Sequence, residues 1–440
     1  MPMMQRTLRT FSIENIKDFK QNLLSWSQQF ETALWLDSNH YKKQYASFDS
    51  ALAVAEFTAI KTDYSNAFDK LKEYQTVTKD YIFGYISYDV KNDVEQLSSK
   101  NFDGLDFPDL YFFQPQKLIF IKGENIEFHY LKMVDEEIES DFEAIQNYAN
   151  ISPKYKRTST GKDLKIKPRI HKEDYCAKVN TLLDHISRGD IYEANFCQEF
   201  YAENASIDPL DVYKHLNEIS EPPFASFLKT EHQYALCASP ERYLKKEGAN
   251  IISQPIKGTA KRLISPIDDA EIATDLARDE KERAENVMIV DLVRNDLSKT
   301  AKKGTVKVEE LCKVYSFKQV HQMISTVVSE IDTAMHPIES LRSTFPMGSM
   351  TGAPKISAMK IIENLEETKR GLYSGTIGYF TPENDFDFNV VIRSILYNEE
   401  KKYVSYSVGG AITAKSVAEK EYEECLLKAK AMKYVLQHSK

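Results

Sequence analysis

Apolar positions repeat at helical spacing over residues 13–30, which predicts an amphipathic helix. Residues 32–36 form a short apolar run closed by Asp37-Ser38-Asn39, the pattern of a strand ending in a turn. A further strand is expected over 51–60, a helix over 66–74, and a strand over 80–90, where aromatic and small residues alternate. The runs 117–121 and 126–131 flank Lys122-Gly123-Glu124-Asn125 and predict a hairpin. Residues 151–169 are polar and basic, and read as a connector between an N-terminal region over 1–150 and a second region over 170–438. Beyond it, helices are expected over 172–187 (ending at Gly189), most of 268–297, the later part of 343–366, and 419–437. Strands are expected over 190–200, 234–238 and 249–256, with three more between 373 and 413. Strands and helices come in groups, without βαβ alternation. That grouping predicts an α+β fold of largely antiparallel sheets.

Composition narrows the classes. With 440 residues, of which 42% are hydrophobic, the chain can bury a substantial core. It carries 57 basic against 66 acidic residues, a net charge of -9, which argues against nucleic acid or an anionic membrane as partner. An anionic substrate would need local lysines, arginines or a metal to reverse the field. The five cysteines have neither metal-ligand nor redox spacing, which fits a reducing cytoplasm. No signal peptide is expected at the start, and no run is long and apolar enough to span a bilayer.

Several segments carry candidate chemistry. In Ser253-Gln254-Pro255-Ile256-Lys257-Gly258-Thr259, one lysine sits in a turn shaped by Pro255 and Gly258. It is either a solvated surface lysine or an amine kept neutral as a nucleophile. Glu282 and Glu285 lie three apart on one helical face, and Glu421, Glu424 and Lys428 recur at offsets of three and four on another, flanking an apolar stripe of Tyr422, Cys425, Leu426, Ala429, Met432 and Val435. These are either solvated faces with Glu–Lys pairs or two helices holding a hard cation such as Mg²⁺ between them. Asp291 and Arg294 are spaced to pair. The stretch Gly348 to Lys355 has three residues between its glycines, so it is not a phosphate loop, though its backbone could receive an anion. Glu241 follows an apolar strand; it either pairs with Arg242 or is desolvated and holds a proton to donate. Arg393, inside an apolar run, needs an anionic partner.

Seven segments, in order, resemble the chorismate-binding enzymes. They are GDIYEANFCQEF from Gly189, PPFASFL from Pro222, SPERYL from Ser239, PIKGTAKR from Pro255, KERAENVMIVDLVRNDL from Lys281, FPMGSMTGAPKISAMKIIENLE from Phe345 and EKEYEECLLKAKA from Glu419. FGYISYDVKND, from Phe83, resembles the aminating members. The resemblance implies a sandwich of large antiparallel sheets flanked by helices, with chorismate and Mg²⁺ in a cleft. It implies that Glu285 and Glu424 bind the metal, with Glu282 and Glu421 beside them. Thr351, Tyr373, Arg393 and Lys428 match substrate-contacting positions, Gly258 and Thr259 are placed with them, and so is the loop Gly409-Gly410-Ala411, which departs from the family's usual Gly-Ala-Gly. Glu241 matches the acid that protonates the departing 4-hydroxyl.

Lys257 separates the branches of this family. Anthranilate synthases usually read PIAGT, whereas aminodeoxychorismate synthases read PIKGT, as here. In the latter the lysine adds to ring carbon 2, and ammonia then adds at carbon 4 and expels it. Nearby Mg²⁺ and Lys261 are expected to lower the pKa of Lys257. Glu193 stands where the water-adding members carry a lysine and many aminating members a glutamine. Gln322 stands where relatives often have histidine, with His321 just before it. No cysteine has the Gly-x-Cys-x-Gly setting of a glutaminase, so a glutaminase partner subunit is expected to supply ammonia. Without a lyase domain, the expected product is 4-amino-4-deoxychorismate. The place of Leu36-Asp37-Ser38, where some relatives bind tryptophan, reads as a relic or a plain strand end.

Overall fold

The computed structural model describes residues 6–41, 45–95, 97–148 and 164–438. Most of the expected connector therefore lies outside the described residues. Twenty strands among them join edge to edge. Every ladder between them is antiparallel.

Two long strands, Ser50–Thr62 and Leu110–Lys122, pair along their whole length and belong to both layers of a sandwich. Their register slips between Glu56 and Thr58, and Ala55 has a positive φ of 59°. A slip of this kind bends the strand, so each half can enter a different layer. From one half, pairing continues through Thr32–Asp37, Phe224–Thr230, Gln233–Ser239, Ser394–Asn398 and Tyr403–Thr413 to Glu193–Ala202. From the other half it runs through Ile82–Ile86, Thr376–Phe380, Phe386–Asn389, Arg242–Glu247 and Asn250–Gln254 to Val320–Glu330. The last strand also pairs with Ile256–Lys261 and Lys307–Ser316. Side chains of both layers, including Leu34, Phe83, Leu228, Tyr243, Leu244 and Leu396, fill the space between them. Helices cover the outer face of the first layer through Leu23, Leu182, Leu216, Met432 and Val435.

Burial along Ser50–Thr62 explains its pattern: five buried residues in a row, then alternation. The first part is covered on both faces and the second on one. The structure amends four expectations. Residues 80–90 hold a strand only over Ile82–Ile86; the chain then tightens into a 3-10 turn at Tyr88–Val90, above the buried pairs of Lys91 with Asp89 and Glu363. Residues 268–297 fall into two helices, Pro266–Arg278 and Glu280–Ser298. Asp279, extended, breaks them and caps the second by accepting from the Glu282 N–H. Between 373 and 413 there are four strands, because the Thr381–Asp385 turn splits what the apolar pattern runs together. Leu426, placed in the apolar stripe of the last helix, is 43% exposed, while Cys425, Ala429, Met432 and Val435 are buried. Gly189 ends the helix Lys172–Arg188 at φ 85°, as its position suggests. All five cysteines are free thiols. Among the described residues no helix is long and apolar enough to cross a membrane.

Candidate active site

The strand Ile256–Lys261 carries Lys257, at a slip in its register against Val320–Glu330 between Ile256 and Thr259. Gly258 follows with φ +95°, and a Cβ there would stand 3.2 Å from Glu282 Oε2 and from Met323 Cβ. Both the backbone angle and the space select glycine. Asn286, on the helix Glu280–Ser298, donates to the Lys257 and Met323 carbonyls at 3.2 Å each. Its own oxygen accepts from Ser325 Oγ at 2.5 Å. The lysine backbone is thus tied to the helix one residue after Glu285.

Lys257 Nζ donates to Glu193 Oε1 at 2.9 Å. Glu193 opens the strand Glu193–Ala202 and is 1% exposed. Its second oxygen is buried and has no partner among the described residues. The neighbouring Gly352 lets the chain approach: a Cβ there would fall 2.2 Å from the Glu193 carbonyl oxygen. Burial draws the Lys257 amine toward neutrality, but Glu193 first, then Glu285 and Glu241, outweigh it, and its pKa stands above the ordinary 10.5. These three carboxylates set the direction, and Lys261 takes no part in it. Lys261 is exposed four residues along the strand, about 13 Å of rise away.

Glu241 is buried behind Lys257. Its N–H donates to Ser239 Oγ, and its carbonyl accepts from the Val390 N–H. Burial pushes its carboxyl up to about 7, against hydrogen bonds from Ser349 and the Ile256 backbone and the charge of Lys257. Arg242 leaves it alone: the guanidinium pairs with Asp387 at 2.8 Å and with Gln254. Of the two readings of Glu241, the desolvated acid is the one found.

Four carboxylates face one another from the helices Glu280–Ser298 and Ala418–His438. Burial raises Glu282, Glu421 and Glu285, the last to about 7, and their mutual repulsion adds to it. Lys281, 3.7 Å from Glu285, answers part of this charge. Burial also works against Glu424, but Lys428, at 2.6 Å, with Lys281 and Lys257, holds its carboxyl below the ordinary range. Among the described residues no three carboxylate, histidine or cysteine groups already converge on one ion-sized point. The set still fits Mg²⁺, which takes hard oxygens and is held by one or two carboxylates together with water and substrate oxygens. Glu285 and Glu424 would hold it, with Glu282 and Glu421 next to them. By contrast, Asp291 and Arg294 pair at 2.7 Å on an exposed face and take no part.

Of the expected substrate positions, Lys428, Gly410 and Gly258 stand beside these carboxylates. Arg393 has φ 54°, and its guanidinium has neither a hydrogen bond nor an ion pair among the described residues. Burial lowers its pKa. It lines a cavity of about 80 Å³ with Lys428, Gln322 and Pro240. Gln322 Oε1 is buried and unpartnered. Lys428 Nζ also donates to the Gly409 carbonyl at 2.9 Å. Gly409 leaves room for Cys197 Sγ, 2.5 Å from where a Cβ would stand, and Gly410 faces Glu421. Ala411, half-buried, continues that strand opposite Asn195. Thr351 is buried, its carbonyl accepting from the Asn195 N–H. Tyr373 is buried against Cys197. Thr259 is exposed, paired across the ladder with Gln322. Arg370 ties these parts together, donating to the Met350 and Asn195 carbonyls and pairing with Glu366 at 2.7 Å.

Sequence reasoning missed the Lys257–Glu193 pair, the Asn286 tether and the contact of Ser349 with Glu241. Only Glu193 left a signal, as a departure from glutamine in its motif. Near Leu36-Asp37-Ser38 a separate cavity of about 70 Å³ opens, where Asp37 is held by Lys20 and Ser50, both at 3.0 Å.

Residues 31–434 match the family of the chorismate binding enzyme. The chloroplastic aminodeoxychorismate synthase of Arabidopsis thaliana is 41% identical over 267 residues, covering 60% of this chain and 29% of that protein. The chain thus spans less than two thirds of the length of this relative. Aminodeoxychorismate synthase component 1 of Bacillus subtilis is 32% identical over 369 residues, covering 81% of this chain and 77% of that one. The crystal structure of anthranilate synthase component I from Streptococcus pneumoniae superposes with a TM-score of 0.76 at 26% identity, covering 89% of this chain and 94% of that one.

Proposed function

The chain belongs to the chorismate-binding enzyme family, and on that premise we propose that it converts chorismate and ammonia into 4-amino-4-deoxychorismate, the aminodeoxychorismate synthase reaction. The observation that carries this reading is Lys257, an enclosed amine on a glycine-flanked strand, beside a buried acid at Glu241.

Arg393 and Lys428 offer positive charge to the carboxylates of a dianionic ring. The Arg393 guanidinium is half-buried and has no ion pair among the described residues, and the desolvation that lowers its pKa favours the arrival of an anion. Lys257 Nζ bonds to ring carbon 2 as the double bonds shift and the bond from carbon 4 to its hydroxyl breaks. Glu241 gives its proton to that oxygen, which leaves as water. Ammonia then bonds to carbon 4, and the bond between carbon 2 and Lys257 breaks. One difficult substitution becomes two easier ones. A bound Mg²⁺ would supply divalent charge against the ring carboxylate beside Glu285 and Glu424. A glutaminase partner is the proposed source of ammonia, with ammonium salt as a substitute.

The test is incubation of the purified chain with chorismate, Mg²⁺ and ammonium salt. 4-Aminobenzoate formed only after a lyase is added supports the reading. Fluorescent anthranilate formed without a lyase selects anthranilate synthase chemistry. No turnover from any ammonia source leaves a chorismate-binding subunit without catalysis.

A further inference from the structure

Resting on the lysine-adduct reading above, we propose that Glu193 is a catalytic residue: it takes the proton from Lys257 as the amine attacks and returns it when the lysine leaves. A lysine held as an ammonium has no lone pair, so a proton must move before the bond to carbon 2 can form. Glu193 is the only carboxylate among the described residues that makes an ion pair with Lys257, at 2.9 Å. That is within the distance of direct proton transfer. The charged groups around the pair are Glu241, from the strand end, Glu282, Glu285 and Lys281, from the helix Glu280–Ser298, and Glu424, from the last helix. Glu241 already holds the proton for the leaving hydroxyl. Glu282, Glu285 and Glu424 belong to the cation-binding face.

Glu193 is built for proton acceptance. It is 1% exposed, so its proton does not pass through bulk water. Its second oxygen is buried without a partner among the described residues, so it stands open to carry the proton. Its carbonyl side is locked against Gly352, and its strand is held by Arg370 through Asn195.

The protons balance. At rest the pair is an ammonium and a carboxylate. Transfer gives a neutral amine and a protonated Glu193. The amine attacks carbon 2, the hydroxyl takes the Glu241 proton and departs as water, and the adduct carries a secondary ammonium. When ammonia attacks carbon 4, the new ammonium returns a proton to Glu241. Lys257 leaves as an amine and takes its proton back from Glu193. The sum is chorismate plus ammonia giving aminodeoxychorismate plus water.

The experiment mixes enzyme and chorismate without ammonia and follows the adduct by intact mass, alongside kcat and KM with ammonium. In Glu193→Gln, adduct formation and kcat should fall roughly a hundredfold with KM for chorismate unchanged. Glu193→Asp, which keeps the acceptor, should stay within about tenfold of the parent. Gln forming the adduct as fast as the parent, or faster, overturns the proposal, because the carboxylate would then only hold the amine in place. Should the Gln variant melt early, Asp decides alone: a loss as large as a hundredfold overturns it. A Lys257→Ala chain that keeps full turnover removes the adduct itself, and that result is distinct from either outcome at Glu193.

Discussion

Replacing Glu241 by glutamine should cost activity and raise stability, and the structure gives the size of both effects. The carboxyl moves from an ordinary 4.5 to about 7 because it is buried. A shift of that size is about 3 kcal/mol of preference for the protonated form in the folded protein. A group raised in the fold makes the native state the proton binder between those two values. Its contribution to stability is therefore full below pH 4.5 and lost as pH rises through 7. Above pH 8 the parent carries a buried carboxylate, whereas glutamine, of similar shape, carries no charge. Glu241→Gln should accordingly be more stable than the parent by up to about 3 kcal/mol at pH 8.5 and nearly equal at pH 4.5. For a chain of this length that corresponds to a melting temperature raised by about 3 °C. The assay is thermal unfolding of both proteins across pH 4.5–8.5, read as the difference at each pH. In parallel, kcat of the parent should fall about tenfold per pH unit above 7, the limit at which the acid is lost, and the variant should be nearly inactive throughout. A variant whose melting difference stays flat with pH would refute the claim that burial raises this carboxyl to about 7.

Other perturbations follow from the same geometry. Arg393→Ala should raise KM for chorismate by roughly thirtyfold or more, the value of one charge-assisted hydrogen bond; unchanged KM would exclude it from the substrate. Asn286→Ala leaves the Lys257 and Met323 carbonyls without their donor, so urea unfolding should show a loss of about 2 kcal/mol and kcat should fall more than KM changes. Glu285→Gln combined with Glu424→Gln should weaken Mg²⁺ binding at least about tenfold in a calorimetric titration; equal affinity would move the metal elsewhere. Gly258→Ala meets Glu282 and Met323 at 3.2 Å with φ +95°, and should lower stability by about 1–3 kcal/mol.

Much of this protein is legible in its chain. Grouped strands and helices point to antiparallel layers, and the seven ordered segments point to a family. These are local properties: a hydrophobic period, a glycine where φ must be positive, a charge inside an apolar run. What the chain left open is what depends on neighbours distant in sequence. Whether Glu241 pairs with Arg242 or stands apart from it was decided by Asp387, 145 residues beyond Arg242, which draws the guanidinium away. The state of Lys257 was decided by Glu193, 64 residues before it, through a contact no spacing encodes. Charge in a protein is set by the nearest few ångströms of its surroundings, and only the folded sheets determine which carboxylates come that near.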